Sequence, residues 1–234
     1  MNRQKNEESV LQETANAAEG SGNYAAAFDA WQQLASMTCR PDYLCKVGRM
    51  AQKLGRWTDA ERAFLDALEV DKALPFAMVL LGSLFLKRTD RDPSTNARTA
   101  KAWLERGIAT APTQMALSFL GTAHDRLGER EAAIEAFRRA IALDASYAEA
   151  YLNLGILLAR DGENEEAERL LRIATQLHPS SHKAHGSLGV VLQERGKYSE
   201  AEDELRRAIE IDPADAIASF YLNRSAGGTG TNKP

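Results

Sequence analysis

Glycine returns along this chain at a nearly fixed interval. Gly48, Gly82, Gly121, Gly155 and Gly189 stand 34, 39, 34 and 34 residues apart. A second column, Gly22, Gly55, Gly128, Gly162 and Gly196, follows the same period with one member missing from the long gap. Two glycine columns at this spacing mean one supersecondary unit copied in tandem. A unit of this size cannot bury its apolar face alone, so copies must stack into an elongated array with a groove suited to something long.

Residues 148–181 show what the unit is. Tyr151, Leu154, Gly155 and Leu158 recur at i, i+3, i+4 and i+7, which is one stripe of a helix. Gly162 follows where a helix ends in a left-handed residue. A second stripe runs through Ala167, Leu170, Leu171, Ala174 and Leu177, and Pro179 then blocks continuation and starts the next helix. The unit is a helical hairpin. Gly155 is expected to face Ala167 and Ala174 across it, with Tyr151 and Leu171 filling the space at either side.

This pattern, an aromatic or Tyr, then Leu-Gly, a large apolar residue, Ala, a large apolar residue, Ala and Pro, resembles the tetratricopeptide repeat. In residues 148–181 the matches are Tyr151, Leu154, Gly155, Leu158, Ala167, Leu171, Ala174 and Pro179. Residues 182–215 match with Leu188, Gly189, Leu192, Ala201, Leu205, Ala208 and Pro213, and 114–147 with Leu117, Leu120, Gly121, Ala133, Phe137 and Ala140. Residues 41–74 match with Leu44, Val47, Gly48, Ala51, Ala60, Phe64 and Ala67. The copy at 75–113 carries an insertion, whose Asp92-Pro93 start signal predicts a second helix lengthened at its N-terminus. The copy at 8–40 is the most degenerate.

The resemblance implies an all-α fold: an α-solenoid, a right-handed superhelix of about six hairpins over residues 8–224. Residues 216–224 read as a short helix capping the last hairpin. Residues 1–7 and 225–234 lack packing residues and are expected to be disordered.

Composition excludes several classes. Net charge is −4, whereas nucleic-acid binding needs a basic surface. No apolar run is long enough to span a membrane, and no secretory signal precedes the repeats. The only cysteines, Cys39 and Cys45, fit a reduced pair in a cytoplasmic protein better than a disulfide framework.

The resemblance places ligand-facing residues at positions 2, 5, 9, 12 and 13 of each unit, on its first helix. Carried over, these give an apolar column of Phe76, Val79, Met115, Leu152, Ile156 and Val190. They also give a basic column, with Arg49 and Lys53 on one face and Lys87, Arg126 and Arg160 at the position of Lys53; Lys46 extends it. The apolar side chains could equally pack against neighbouring repeats, and the cations could simply complement helix C-termini. The carboxylate clamp that some relatives use for chaperone tails is not matched, since only Asn153 and Lys183 agree.

No catalytic constellation, phosphate loop or cofactor motif is found, so the reading is not an enzyme. His178, His182 and His185 are split by Pro179 and are not read as a metal site. Glu163, Glu165, Glu166 and Glu168 read as a solvated outer face. The expected function is an interaction scaffold or adaptor that holds a protein or peptide partner with an acidic and apolar segment. The alternative is a homo-oligomer stacking through terminal residues Phe220, Tyr221 and Leu222.

Overall fold

The computed structural model describes residues 2–228, and side chains over residues 6–224. Thirteen α-helices and no strand occur among the described residues. They are α1 (Asn2–Gly20), α2 (Tyr24–Thr38), α3 (Pro41–Lys53), α4 (Trp57–Val70), α5 (Pro75–Lys87), α6 (Pro93–Thr110) and α7 (Gln114–Arg126), then α8 (Arg130–Leu143), α9 (Ala148–Arg160), α10 (Asn164–Leu177), α11 (His182–Glu194), α12 (Tyr198–Ile211) and α13 (Ala216–Gly228). The chain forms two compact units, the first ending at Glu129 and the second beginning at Arg130.

Local chemistry sets the helix boundaries. Proline opens α3, α5 and α6, where a missing N–H costs nothing. The side chains of Asn23, Asp92, Thr113 and Ser181 accept from the N–H groups of Ala26, Thr95, Ala116 and Ala184 and so cap α2, α6, α7 and α11. Between the two helices of a hairpin the chain reverses through Gly22, Gly55, Gly128, Gly162 or Gly196, each at φ between 71 and 80°. The Arg56 N–H reaches back to the Ala51 carbonyl, and that of Glu163 to Leu158, both at 2.9 Å, closing the helix ends around these glycines.

The other glycine column brings helices together. A Cβ built on Gly48 would sit 2.3 Å from Phe64 Cε1, and one on Gly82 2.4 Å from Leu104 Cγ. One on Gly189 would meet Leu205 Cγ at 2.6 Å. At Gly155 the neighbour is Leu171 Cγ at 2.8 Å. Leu171 therefore lies over Gly155 itself, not beside it as the sequence suggests, because the glycine leaves a hollow that the large side chain fills.

In the first unit each of α1, α3 and α5 packs on the second helix of its own hairpin, α3 also packs on α5, and α5 on α7. In the second unit α9 packs on α8, α10 and α11, and α11 packs on α12 and α13. The core of the first unit centres on Trp31, Leu34, Met50, Phe64, Leu81, Leu84 and Leu104. That of the second joins Phe137, Leu154, Leu158, Leu171, Leu188 and Leu192.

Three boundary expectations change and one holds. The segment read as disordered, 1–7, is helical from Asn2, because neither glycine nor proline interrupts the chain before Gly20; Met1 lies outside the described residues. The C-terminal helix runs to Gly228, so residues 225–228 of the expected tail are helical, and 229–234 lie outside the described residues. Pro179 does not start a helix: α11 begins at His182 behind the Ser181 cap. The insertion in the third copy does lengthen α6, which has 18 residues against 14 in α4.

Candidate functional site: the first-helix faces

The expected apolar column divides by depth. Phe76 is 46% exposed and Ile156 38%, while Met115 and Val190 are half-buried. Val79 and Leu152 are 3% and 4% exposed, which removes them from any surface strip. Their helices explain this. α5 is apolar on nearly every side, with Ala77–Val79 and Leu81–Leu86 all buried, and Leu152 joins the core formed by Leu154, Leu158, Leu171 and Leu188.

The basic column is largely engaged by the protein itself. Lys46 Nζ donates to Glu19 at 3.0 Å and lies 5.3 Å from the centre of the Trp31 ring. Arg49 lies 3.5 Å from the same carboxylate. Arg126 donates to the Leu86 carbonyl at the end of α5, the helix-terminal role open to a cation at that position. Lys53, over the Tyr24 ring at 5.7 Å, is exposed, as are Lys87 and Arg160. In the first unit, Phe76 and Met115 thus sit at the start of α5 and α7, and the cations Lys53, Lys87 and Arg126 at the far ends of α3, α5 and α7.

Sequence reading missed the charged side chains that are most deeply held. Arg88, with its side chain 1% exposed, donates to Glu61 at 2.5 Å and to both oxygens of Asp90 at 2.8 Å. Hydrogen bonds from Arg88 pull the Asp90 carboxyl down to about 2. Glu168 is a further correction: it is buried, whereas its neighbours Glu163 and Glu165 face water. It accepts from Arg195 at 2.5 Å, from Lys197 at 2.8 Å and from Arg172 at 3.0 Å. Burial pushes its carboxyl up, but Lys197 and Arg172 outweigh that and hold it below the usual range. A periodic signal was available: Glu61–Arg88 and Glu168–Arg195 both pair residues 27 apart.

Three of the histidines each meet a carboxylate. His182 Nδ1 meets Asp215 at 2.9 Å, and the Asp215 carboxylate accepts the Ala218 N–H at the start of α13. His185 bridges Glu204 at 2.6 Å and the Pro179 carbonyl at 3.0 Å. His124 lies 2.5 Å from Glu129. Both cysteines are free: Cys39 is exposed and Cys45 buried, its thiol pushed up to about 12 chiefly by burial. Among the described residues no helix is long and apolar enough to cross a membrane.

Comparison with known proteins agrees with this architecture. Residues 123–162 match a family model described as TPR repeat, and residues 159–216 one described as tetratricopeptide repeat. The chain is a tetratricopeptide repeat protein. The tetratricopeptide fold is shared with solved structures at low identity. The crystal structure of MamA is 23% identical, with a TM-score of 0.56 over 83% of this chain and 98% of that one. YrrB, described as a TPR protein with an unusual peptide-binding site, is 20% identical, with a TM-score of 0.56 over 84% of this chain and all of its own. A chain of the APC/C hetero-tetramer Cut9–Hcn1 is 16% identical, with a TM-score of 0.78 over 95% of this chain and 47% of that one. By sequence alone, no curated protein matches. Tetratricopeptide repeats are protein-interaction modules, and this chain has the fold of an interaction scaffold.

Proposed function

We propose that the tetratricopeptide repeat protein is an adaptor that holds a peptide segment of a partner along the first-helix face of its first unit. The observation that carries this reading is Phe76, a large apolar side chain left 46% exposed on a helix otherwise almost wholly buried. Met115 is half-buried at the matching place on α7, and Lys53 and Lys87 are exposed at the opposite helix ends. A segment with an apolar anchor and acidic residues about 16 Å further on, the rise of eleven helical residues, suits this pattern. That YrrB is described as having a peptide-binding site is consistent with the reading.

Capture of a partner from native lysate is the test. Phe76→Asp should weaken it at least about tenfold, the effect of losing an anchor worth roughly 1.4 kcal/mol or more. Lys53→Glu combined with Lys87→Glu should reduce both affinity and its salt dependence. Unchanged capture by Phe76→Asp would move the site off this face.

A second reading has one observation in its favour. On α13, Ile217 and Phe220 are 63% and 61% exposed, a face through which copies could associate. The expected contact residues Tyr221 and Leu222 do not belong to it, since both are half-buried against Leu205, Ala208 and Ala218. Sedimentation of the protein and of its Ile217→Ser/Phe220→Ser variant decides: a larger species that the variant loses supports self-assembly, and a monomer in both ends it.

A further inference from the structure

In the second unit, ion pairs join the second helices of successive hairpins. Arg138 of α8 reaches Glu166 of α10 at 3.5 Å, and Arg172 of α10 reaches Glu200 of α12 at 2.5 Å. Both pairs join a cation near the middle of one second helix to a carboxylate in the first turn of the next, 28 residues on. The same register in the first unit places Gln32 on α2 and Asp59 on α4. By position on the two helices, though one residue closer in sequence, an amide stands here where Arg138 and Arg172 stand in the second unit, and among the described residues no bridge joins α2 to α4 at this point.

A cavity of about 570 Å³ opens at that place. Its apolar lining includes Phe28 and Ala35 of α2, Leu44 and Val47 of α3 and Ala63 of α4. The α2 wall is otherwise neutral, with Gln32 and Ser36. The α4 wall carries Arg56, Asp59, Arg62 and Asp66, which alternate in sign at helical spacing along one face. Among the described residues, Asp59, Arg62 and Asp66 form no ion pair, and Arg56 only stacks over Phe28 at 5.1 Å. Four alternating charges, none of them in an ion pair, beside an apolar floor form a surface complementary to one kind of object.

We propose that the channel between α2 and α4 docks an amphipathic helix of a partner protein, with an apolar seam over the half-buried Leu44 and the accessible edges of Phe28 and Val47, and flanking residues of alternating charge opposite Arg56, Asp59, Arg62 and Asp66. Those four residues extend over about 15 Å, the rise of ten helical residues, so three turns of helix fill the site. The channel runs between two second helices over residues of α3 and does not involve Phe76, Lys53 or Lys87. It is a second docking surface, independent of the peptide site proposed above.

Two synthetic helical peptides of 14 residues test it on the full chain. Both carry the same leucine seam; one alternates Glu and Lys beside it at three- and four-residue spacing, and the other has Gln at those places. The charged peptide should bind at least about tenfold more tightly at low salt, with the advantage shrinking as salt rises. Gln32→Arg, which supplies the missing bridge to Asp59, and Ser36→Trp, which fills the rim from an exposed position, should each lower its binding about tenfold. Phe76→Asp should leave it unchanged, which separates this surface from the first. Equal binding of the two peptides, no binding of either, or binding indifferent to both channel variants overturns the proposal. So does a dimer of the free chain that Ser36→Trp abolishes, since the occupant would then be a second copy.

Discussion

Replacing Glu168 by alanine should destabilise the second unit by about 3 kcal/mol, the lower end of the range for breaking a buried ion pair. The side chain is 7% exposed and accepts from three cations on three segments: Arg172 on its own helix, Arg195 at the end of α11 and Lys197 before α12. Those cations are 25–38% exposed, so water screens part of what they lose, which keeps the figure low. Acid should have a related effect. The Glu168 carboxyl is held below its ordinary value in the folded protein, so its contribution is complete above the unfolded value of about 4.3 and disappears as pH falls through the folded one. Urea melts of the protein and of Glu168→Gln, followed by circular dichroism at pH 7 and at pH 3, should show a gap that closes in acid. A gap unchanged at pH 3 would mean that the carboxylate charge is not what the three cations hold.

Gly48→Leu should cost the first unit up to about 3 kcal/mol, the upper part of the range for overpacking a core. Even a bare Cβ at this position would lie 2.3 Å from the Phe64 ring, and Phe64 is fully buried and cannot swing aside. The clash is with that ring, so Phe64→Leu in the Gly48→Ala background should recover part of the loss. A double-mutant cycle measures the coupling, which additive single effects would refute. Because an array of repeats is stabilised mainly by nearest neighbours, faster amide exchange should concentrate in α3 and α4 and leave α9–α12 as they were.

These two sites mark where sequence was informative and where it was not. The glycine columns were readable because each has one physical cause: a left-handed turn at Gly55 or Gly162, and a close helix approach at Gly48 or Gly189. Depth was harder. Val79 and Leu152 stand at a repeat position expected to face a ligand, yet they are core residues, since position in a repeat fixes direction and not how closely the next helix approaches. Glu168 sits among four glutamates within six residues, and composition cannot say which of them turns inward. Arg88 precedes the insertion, where comparison between copies is weakest, although its 27-residue spacing to Glu61 repeats that of Arg195 to Glu168. Gln32 carries no signal by itself and becomes visible only beside Arg138 and Arg172, whose bridges it lacks.

The buried thiol of Cys45 has a practical consequence. Raised to about 12 and shielded from solvent, it is closed to maleimide at neutral pH, leaving Cys39 as the one reactive handle on the natural chain. Cys39 is exposed at the end of α2, three residues beyond Ser36, which lines the α2–α4 channel. A fluorophore placed there, with no engineering, offers a readout for the binding of the helical peptides proposed above.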